Sequence, residues 1–120
     1  MAITYTDGTF LPAAVGTTYT LLTDATGGVK KFRINGTNLP AGTLMNVSLQ
    51  ALNLSTGAYV ERKNKSFLNL VAVGVAPAIG EEPDWQSKDI VVQFGFQVQA
   101  TIISGTLPTT GLDWTEYSAS

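Results

Sequence analysis

Apolar and polar residues alternate along Lys88–Ile103 with hardly a break. Ile90, Val92, Phe94, Phe96, Val98, Ala100 and Ile102 occupy the even positions, and all are apolar. The odd positions Val91, Gln93, Gly95, Gln97, Gln99 and Thr101 are mostly polar, and none is charged. A period of two over this length predicts a strand with one face in the core. Fourteen extended residues reach about 45 Å, well beyond the usual strand of about 5–6 residues. Gly95 near the middle therefore predicts a bend or bulge, with the even face from Ile90 to Ile102 assigned to the core.

Other short β-branched and aromatic runs lie between evenly spread turn signals such as Asp7-Gly8, Gly27-Gly28, Asn35-Gly36 and Thr56-Gly57. TTYTLLT (Thr17–Thr23) and VKKFRI (Val29–Ile34) read as a hairpin joined by about five residues. In the second run Phe32 and Ile34 share one face, Lys31 and Arg33 the other. Pro40 then breaks the chain. In TLMNVSLQALNL (Thr43–Leu54) the apolar phase runs through Met45, Val47, Leu49 and Ala51, then flips to Leu52 and Leu54, which predicts a bulge or a change of partner.

AYVERKNK reads as an exposed strand, and SFLNLVAVGVA (Ser66–Ala76) as a strand buried on both faces. The acidic connection PAIGEEPDWQSKD (Pro77–Asp89) predicts a helical turn begun near Pro83. The sum is an all-β chain with little or no helix: a single antiparallel β-sandwich or barrel, immunoglobulin-like or jelly-roll-like, of about seven or eight strands. The expected organisation is one domain over residues 1–120, with irregular N-terminal (1–16) and C-terminal (104–120) arms.

Composition narrows the chemistry. Only 13% of the 120 residues are charged, against roughly 25% in an ordinary soluble domain. Thr, Ser, Asn, Gln and Gly fill the gap. A net charge of −2 argues against nucleic acid as the main partner, since neutralising phosphates requires clustered Lys and Arg. The two basic runs, KKFR (Lys30–Arg33) and ERKNK (Glu61–Lys65), read as solvated hairpin ends. The opening MAITYTDGT lacks a basic and an apolar region, so no signal peptide is expected, nor is a stretch of roughly 18 apolar residues present to span a bilayer as a helix.

With no Cys and no His, thiol chemistry and the commonest general base are absent. Neither the Gly-Lys-Ser/Thr phosphate loop nor the G-x-S-x-G elbow occurs. Glu81, Glu82, Asp84 and Asp89 cluster within nine residues, but their order does not match a calcium loop, and they read as a solvated acidic loop. No catalytic, metal or cofactor residues are assigned, and the chain is read as not an enzyme. Four asparagines, Asn35, Asn46, Asn53 and Asn64, precede a hydroxyl residue by two positions. They read as part of a Thr/Ser-rich polar face rather than as glycan acceptors.

The candidate interface residues are Gln93, Gln97, Gln99, Trp85, Trp114 and Tyr117. Neutral amides can be covered by a neighbouring chain without the desolvation cost of charges. The loop aromatics can anchor contacts or stack sugars, or, as large aromatics more often do, Trp85 and Trp114 can plug the two ends of the sandwich core. From TLMNVSLQ through RKNKSFLNLVAVGV to DIVVQFGFQVQA the chain resembles the strand succession of single-stranded RNA phage coat proteins. It ends in GTLPTTGLDWTEYSAS, where that family ends in two helices. As a small, Cys-free, Thr/Gly-rich β protein it also resembles capsid decoration proteins of bacteriophage virions. FRINGTNLPAGTLMNVSL is similar to a turn of immunoglobulin-like sandwich modules. The phage resemblance implies a non-enzymatic virion structural protein, made in the host cytoplasm, whose partners are itself or other capsid proteins. The alternative expectation is a carbohydrate-binding or host-adhesion module.

Overall fold

The computed structural model describes residues 3–68 and 84–119. The described residues form nine strands and no helix: β1 (Ile3–Phe10), β2 (Thr18–Asp24), β3 (Gly28–Asn35), β4 (Leu44–Asn53), β5 (Ala58–Leu68), β6 (Asp84–Gln86), β7 (Ile90–Val92), β8 (Phe96–Ser104) and β9 (Leu112–Ala119). They build two antiparallel sheets packed together, a β-sandwich. The five-stranded sheet runs β1-β9-β3, with β6 and β7 both pairing the far side of β3; the four-stranded sheet runs β2-β8-β4-β5.

The period-two pattern sets both inner faces. β4 contributes Met45, Val47, Leu49 and Ala51, and β8 contributes Phe96, Val98, Ala100 and Ile102, all buried. Opposite them lie Phe32 and Ile34 of β3, Leu112 and Trp114 of β9, and Ile90 and Val92 of β7. Burying each large apolar side chain contributes roughly 1.5–3 kcal/mol, so this interlayer supplies most of the driving force for folding.

Several expectations change. Residues Ile90–Ile103 are not one strand. Ile90–Val92 pairs with β3 in one sheet, whereas Phe96–Ser104 lies between β2 and β4 in the other. The chain crosses between layers at Gln93–Gly95, which leaves Phe94 39% exposed rather than in the core. β2 and β3 are likewise not a hairpin: β2 pairs with β8 and β3 with β9. The two crossovers run side by side. A Cβ on Gly27 would lie 2.3 Å from the Gln93 carbonyl oxygen, so only glycine permits that approach.

The regions expected to be irregular arms contain β1 and β9, which pair along their whole length from Ile3–Ala119 to Phe10–Leu112. β9 is central in its sheet. Asp84–Gln86, where a helical turn was expected, is strand β6 against Arg33–Asn35. The expected bulge falls opposite Leu49–Gln50, in β5, so β4 keeps its phase through Ala51. Of the strand expected at Ser66–Ala76, only Ser66–Leu68 is described, as the end of β5; the rest lies outside the described residues, as do Glu81 and Glu82.

Candidate interaction surface

The outer face of the four-stranded sheet carries a hydrogen-bonded run of polar side chains, neutral except for Glu61, with Ile103 exposed at its end. On β8, the Gln97 amide donates to Thr23 Oγ1 at 3.0 Å, and Thr101 pairs with Thr18 at 2.9 Å. The Gln99 amide reaches Thr20 Oγ1 and Gln97 Oε1, each at 3.4 Å, and Gln99 Oε1 accepts from Gln50 at 3.1 Å. The layer continues through Ser48 to Glu61 at 2.6 Å, then from Asn64 to Asn46 at 2.9 Å. Bonds from Asn64 and Ser48 hold the Glu61 carboxyl below its ordinary value. The amides at Gln97 and Gln99 thus find partners within their own sheet.

Glutamine serves here because one amide both donates and accepts, which a charged side chain cannot do. The Asn-x-Ser/Thr pattern has a local origin too. Asn35 Oδ1 accepts from the Thr37 amide at 2.9 Å and Asn53 Oδ1 from the Ser55 amide at 3.0 Å, both Asx turns.

The outer face of the five-stranded sheet is graded instead. Ile3, Ala119, Val29 and Val91 stand in register across β1, β9, β3 and β7, forming an apolar row. Ile3 is 58% and Val91 69% exposed. Tyr5 and Tyr117 follow, edge to face with centroids 5.0 Å apart, and Lys31 lies beside Tyr117 with its ammonium 3.4 Å from Asp89. Arg33 comes next and makes a bidentate pair with Asp84, which raises the guanidinium's pKa. Ile3, Tyr5, Val29, Lys31, Gln86, Asp89, Tyr117 and Ala119 line a shallow groove of about 480 Å³. The described carboxylates of the acidic loop, Asp84 and Asp89, are therefore both paired to cations of β3.

The six candidate residues do not form one site. Gln97 and Gln99 lie on the neutral face. Gln93 sits in the crossover and lines a separate depression with Leu52, Leu54, Val60, Arg62 and Phe94. Trp85 is half-buried and packs against the core. Trp114 is only 8% exposed, stacks on Phe32 at 5.7 Å and covers Gly8, whose added Cβ would lie 2.2 Å from the indole ring. Only Tyr117 belongs to the graded face.

Behind the apolar row lies a cluster that the basic-run reading missed. Lys30 is fully buried, and its Nζ donates to Asp24 Oδ2 at 2.8 Å, Thr26 Oγ1 at 2.8 Å and Ser118 Oγ at 2.5 Å. Glu116 is 2% exposed and lies close enough to Asp24 for the two carboxyls to interact, and its Oε2 has no hydrogen-bond partner. Burial, then the hydrogen bond and the charge of Asp24, push the Glu116 carboxyl up to about 7 against the opposing pull of Lys30. Burial also works to raise Asp24, but hydrogen bonds from Lys30, Thr26 and Glu116 outweigh it and hold that carboxyl well below its ordinary value. Asp24 comes from one sheet, Lys30 and Glu116 from the other, so the triad bridges the layers. Parity could have revealed it: Lys30 shares the phase of Phe32 and Ile34, and Glu116 that of Leu112 and Trp114.

No family model, curated protein or solved structure matches the chain. The functional reading therefore rests on these residues.

Proposed function

We propose that the chain is a non-enzymatic structural protein of a bacteriophage virion, a capsid decoration or coat component that binds itself or other capsid proteins. The observation that carries this reading is the in-register apolar row Ile3–Ala119–Val29–Val91 with Tyr5 and Tyr117 beside it. Apolar and aromatic side chains grouped on one sheet face, rimmed by ion pairs, have the composition of a protein–protein contact: an apolar centre and a polar edge. A charged fraction of 13% suits a chain that spends its life within an assembly. Val91→Glu places a charge at the β7 end of the row, on its most exposed member, without touching the core. Sedimentation of wild type and variant, alone and with purified shells of the phage that carries the gene, tests the reading. Wild type associates and the variant loses at least about tenfold in affinity, as expected when an unpaired charge must be desolvated against an apolar contact. Wild type that stays monomeric and leaves the shells bare overturns it.

The Tyr5–Tyr117 pair beside Lys31, Asp89 and Gln86 favours one second reading, a carbohydrate-binding or host-adhesion module, because sugars stack on exposed rings flanked by polar groups. Tyr5→Ala abolishing glycan retention while leaving sedimentation unchanged would select that reading instead.

A further inference from the structure

We propose that Lys30 and Asp24 form an intramolecular amide bond, Nζ to Cγ, with Glu116 moving the protons. Three independent features of the site point there. The amine is fully buried and its nitrogen is 2.8 Å from an Asp24 carboxylate oxygen, so the reactants are already in contact. Ser118 and Thr26 hold the same nitrogen, which fixes its direction of approach, and the Thr26 amide holds Asp24 Oδ1 at 3.0 Å. A second carboxyl, Glu116, is buried on β9 beside Asp24, and its Oε2 has no hydrogen-bond partner, which is rare for a buried polar atom.

The balance is simple. One proton passes from the ammonium to the Asp24 carboxylate, against the hydrogen bonds that keep Asp24 ionised, leaving a neutral amine and a neutral acid. The Nζ lone pair attacks Cγ, forming the C–N bond and a tetrahedral centre. Glu116 protonates the departing oxygen, the C–O bond breaks and water leaves; the amine's surplus proton returns to Glu116, which ends as it began. The sum is ammonium plus carboxylate going to amide plus one water, with no oxidant and no other reactant. With its pKa raised to about 7, Glu116 populates both its protonated and its ionised form near neutral pH, as a proton shuttle needs. Two circumstances favour a reaction that water opposes. Fixed contact supplies an effective concentration of about 10⁵–10⁸ M. The product also replaces two charges whose burial is costly with one neutral group.

Intact-mass spectrometry of purified wild type tests the inference: the chain is expected 18 Da lighter than its sequence. Lys30 is the first basic residue. Trypsin is therefore expected to release residues 1–31, less one water, in place of residues 1–30, because an acylated lysine is not cleaved. Glu116→Gln keeps the shape and slows bond formation by about a hundredfold or more, the scale of general acid–base assistance. Lys30→Arg keeps the charge and restores the full mass. Wild type of full mass after prolonged incubation at pH 7 overturns the proposal. So does an 18 Da loss that survives in Lys30→Arg, since dehydration of an aspartate elsewhere would then be its source.

Discussion

The four-stranded sheet turns Val98 and Ala100 inward and Gln97 and Gln99 outward; the crossover end of the five-stranded sheet does the reverse. There Lys30, Glu116 and Ser118 point into the interlayer, and Val29, Val91, Ile3 and Ala119 point out. Each arrangement has its own physical basis. Amides on an open face stay hydrogen-bonded to one another while still touching water. Charges in the interlayer are tolerated because ammonium, carboxylate and carboxylic acid come from three strands and satisfy one another. The difference shows where a partner would gain most. Covering the glutamine face would exchange existing hydrogen bonds for new ones, whereas covering the apolar row removes hydrocarbon from water at roughly 25 cal/mol per Å².

The largest expected effect breaks the interior side of this contrast. Measured against the unlinked chain, Lys30→Met leaves Asp24 and Glu116 facing each other without their cation, and should cost about 3–5 kcal/mol in urea unfolding. A loss below about 1 kcal/mol would mean that the buried charges are not mutually dependent.

Next in size is the pH dependence of Glu116. Unfolded, this carboxyl releases its proton near 4.5; folded, it keeps it to about 7. Stability should therefore fall as pH rises from about 4.5 to about 7 and then level off, a decline of about 3 kcal/mol at ~1.4 per pH unit. Asp24 acts in the opposite sense, its contribution being lost as pH falls below the ordinary aspartate value. The unlinked chain is thus most stable between these limits. In Glu116→Gln the decline toward neutrality should vanish; an unchanged profile would place its origin elsewhere. Burial, the first cause of the shift, persists after amide formation.

Gln99→Ala sharpens the exterior side. It should cost about 1 kcal/mol of folding stability, the net value of a partly exposed hydrogen-bond set, and leave association unaltered. A double-mutant cycle with Gln50→Ala should return a coupling of about 0.5 kcal/mol or more. The opposite pattern, weakened association with unchanged stability, would transfer the contact to the glutamine face.

Much of this fold is legible in the sequence because alternation reports burial directly. Met45 to Ala51 and Phe96 to Ile102 are buried as their parity requires. Alternation does not report which sheet a strand joins. Val92, Phe94 and Phe96 continue one pattern on paper, yet the chain changes layers between them. The pairing of β1 with β9 joins the two ends of the chain, beyond the reach of any local pattern. The apolar row is equally hidden: Ile3, Val29, Val91 and Ala119 come from four separate stretches, and only register makes them neighbours. Tyr117 alone among the candidate residues lies beside it. Lys30 went unread for a different reason, since a lysine within KKFR suggests water unless its parity with Phe32 is given more weight than its charge.

Strand β1 carries one further consequence. Among the described residues it is bonded to β9 alone, and Ile3–Asp7 are exposed, while Phe10 is buried and Gly8 lies against the Trp114 indole. The indole, not the outer half of β1, seals that side of the hydrophobic layer. The outer half of the strand can therefore peel away and close again without opening the interior, pivoting where Gly8 meets the ring. Protection against amide exchange then rises steeply within a single strand, from the free energy of local fraying at Ile3 toward that of global unfolding at Phe10.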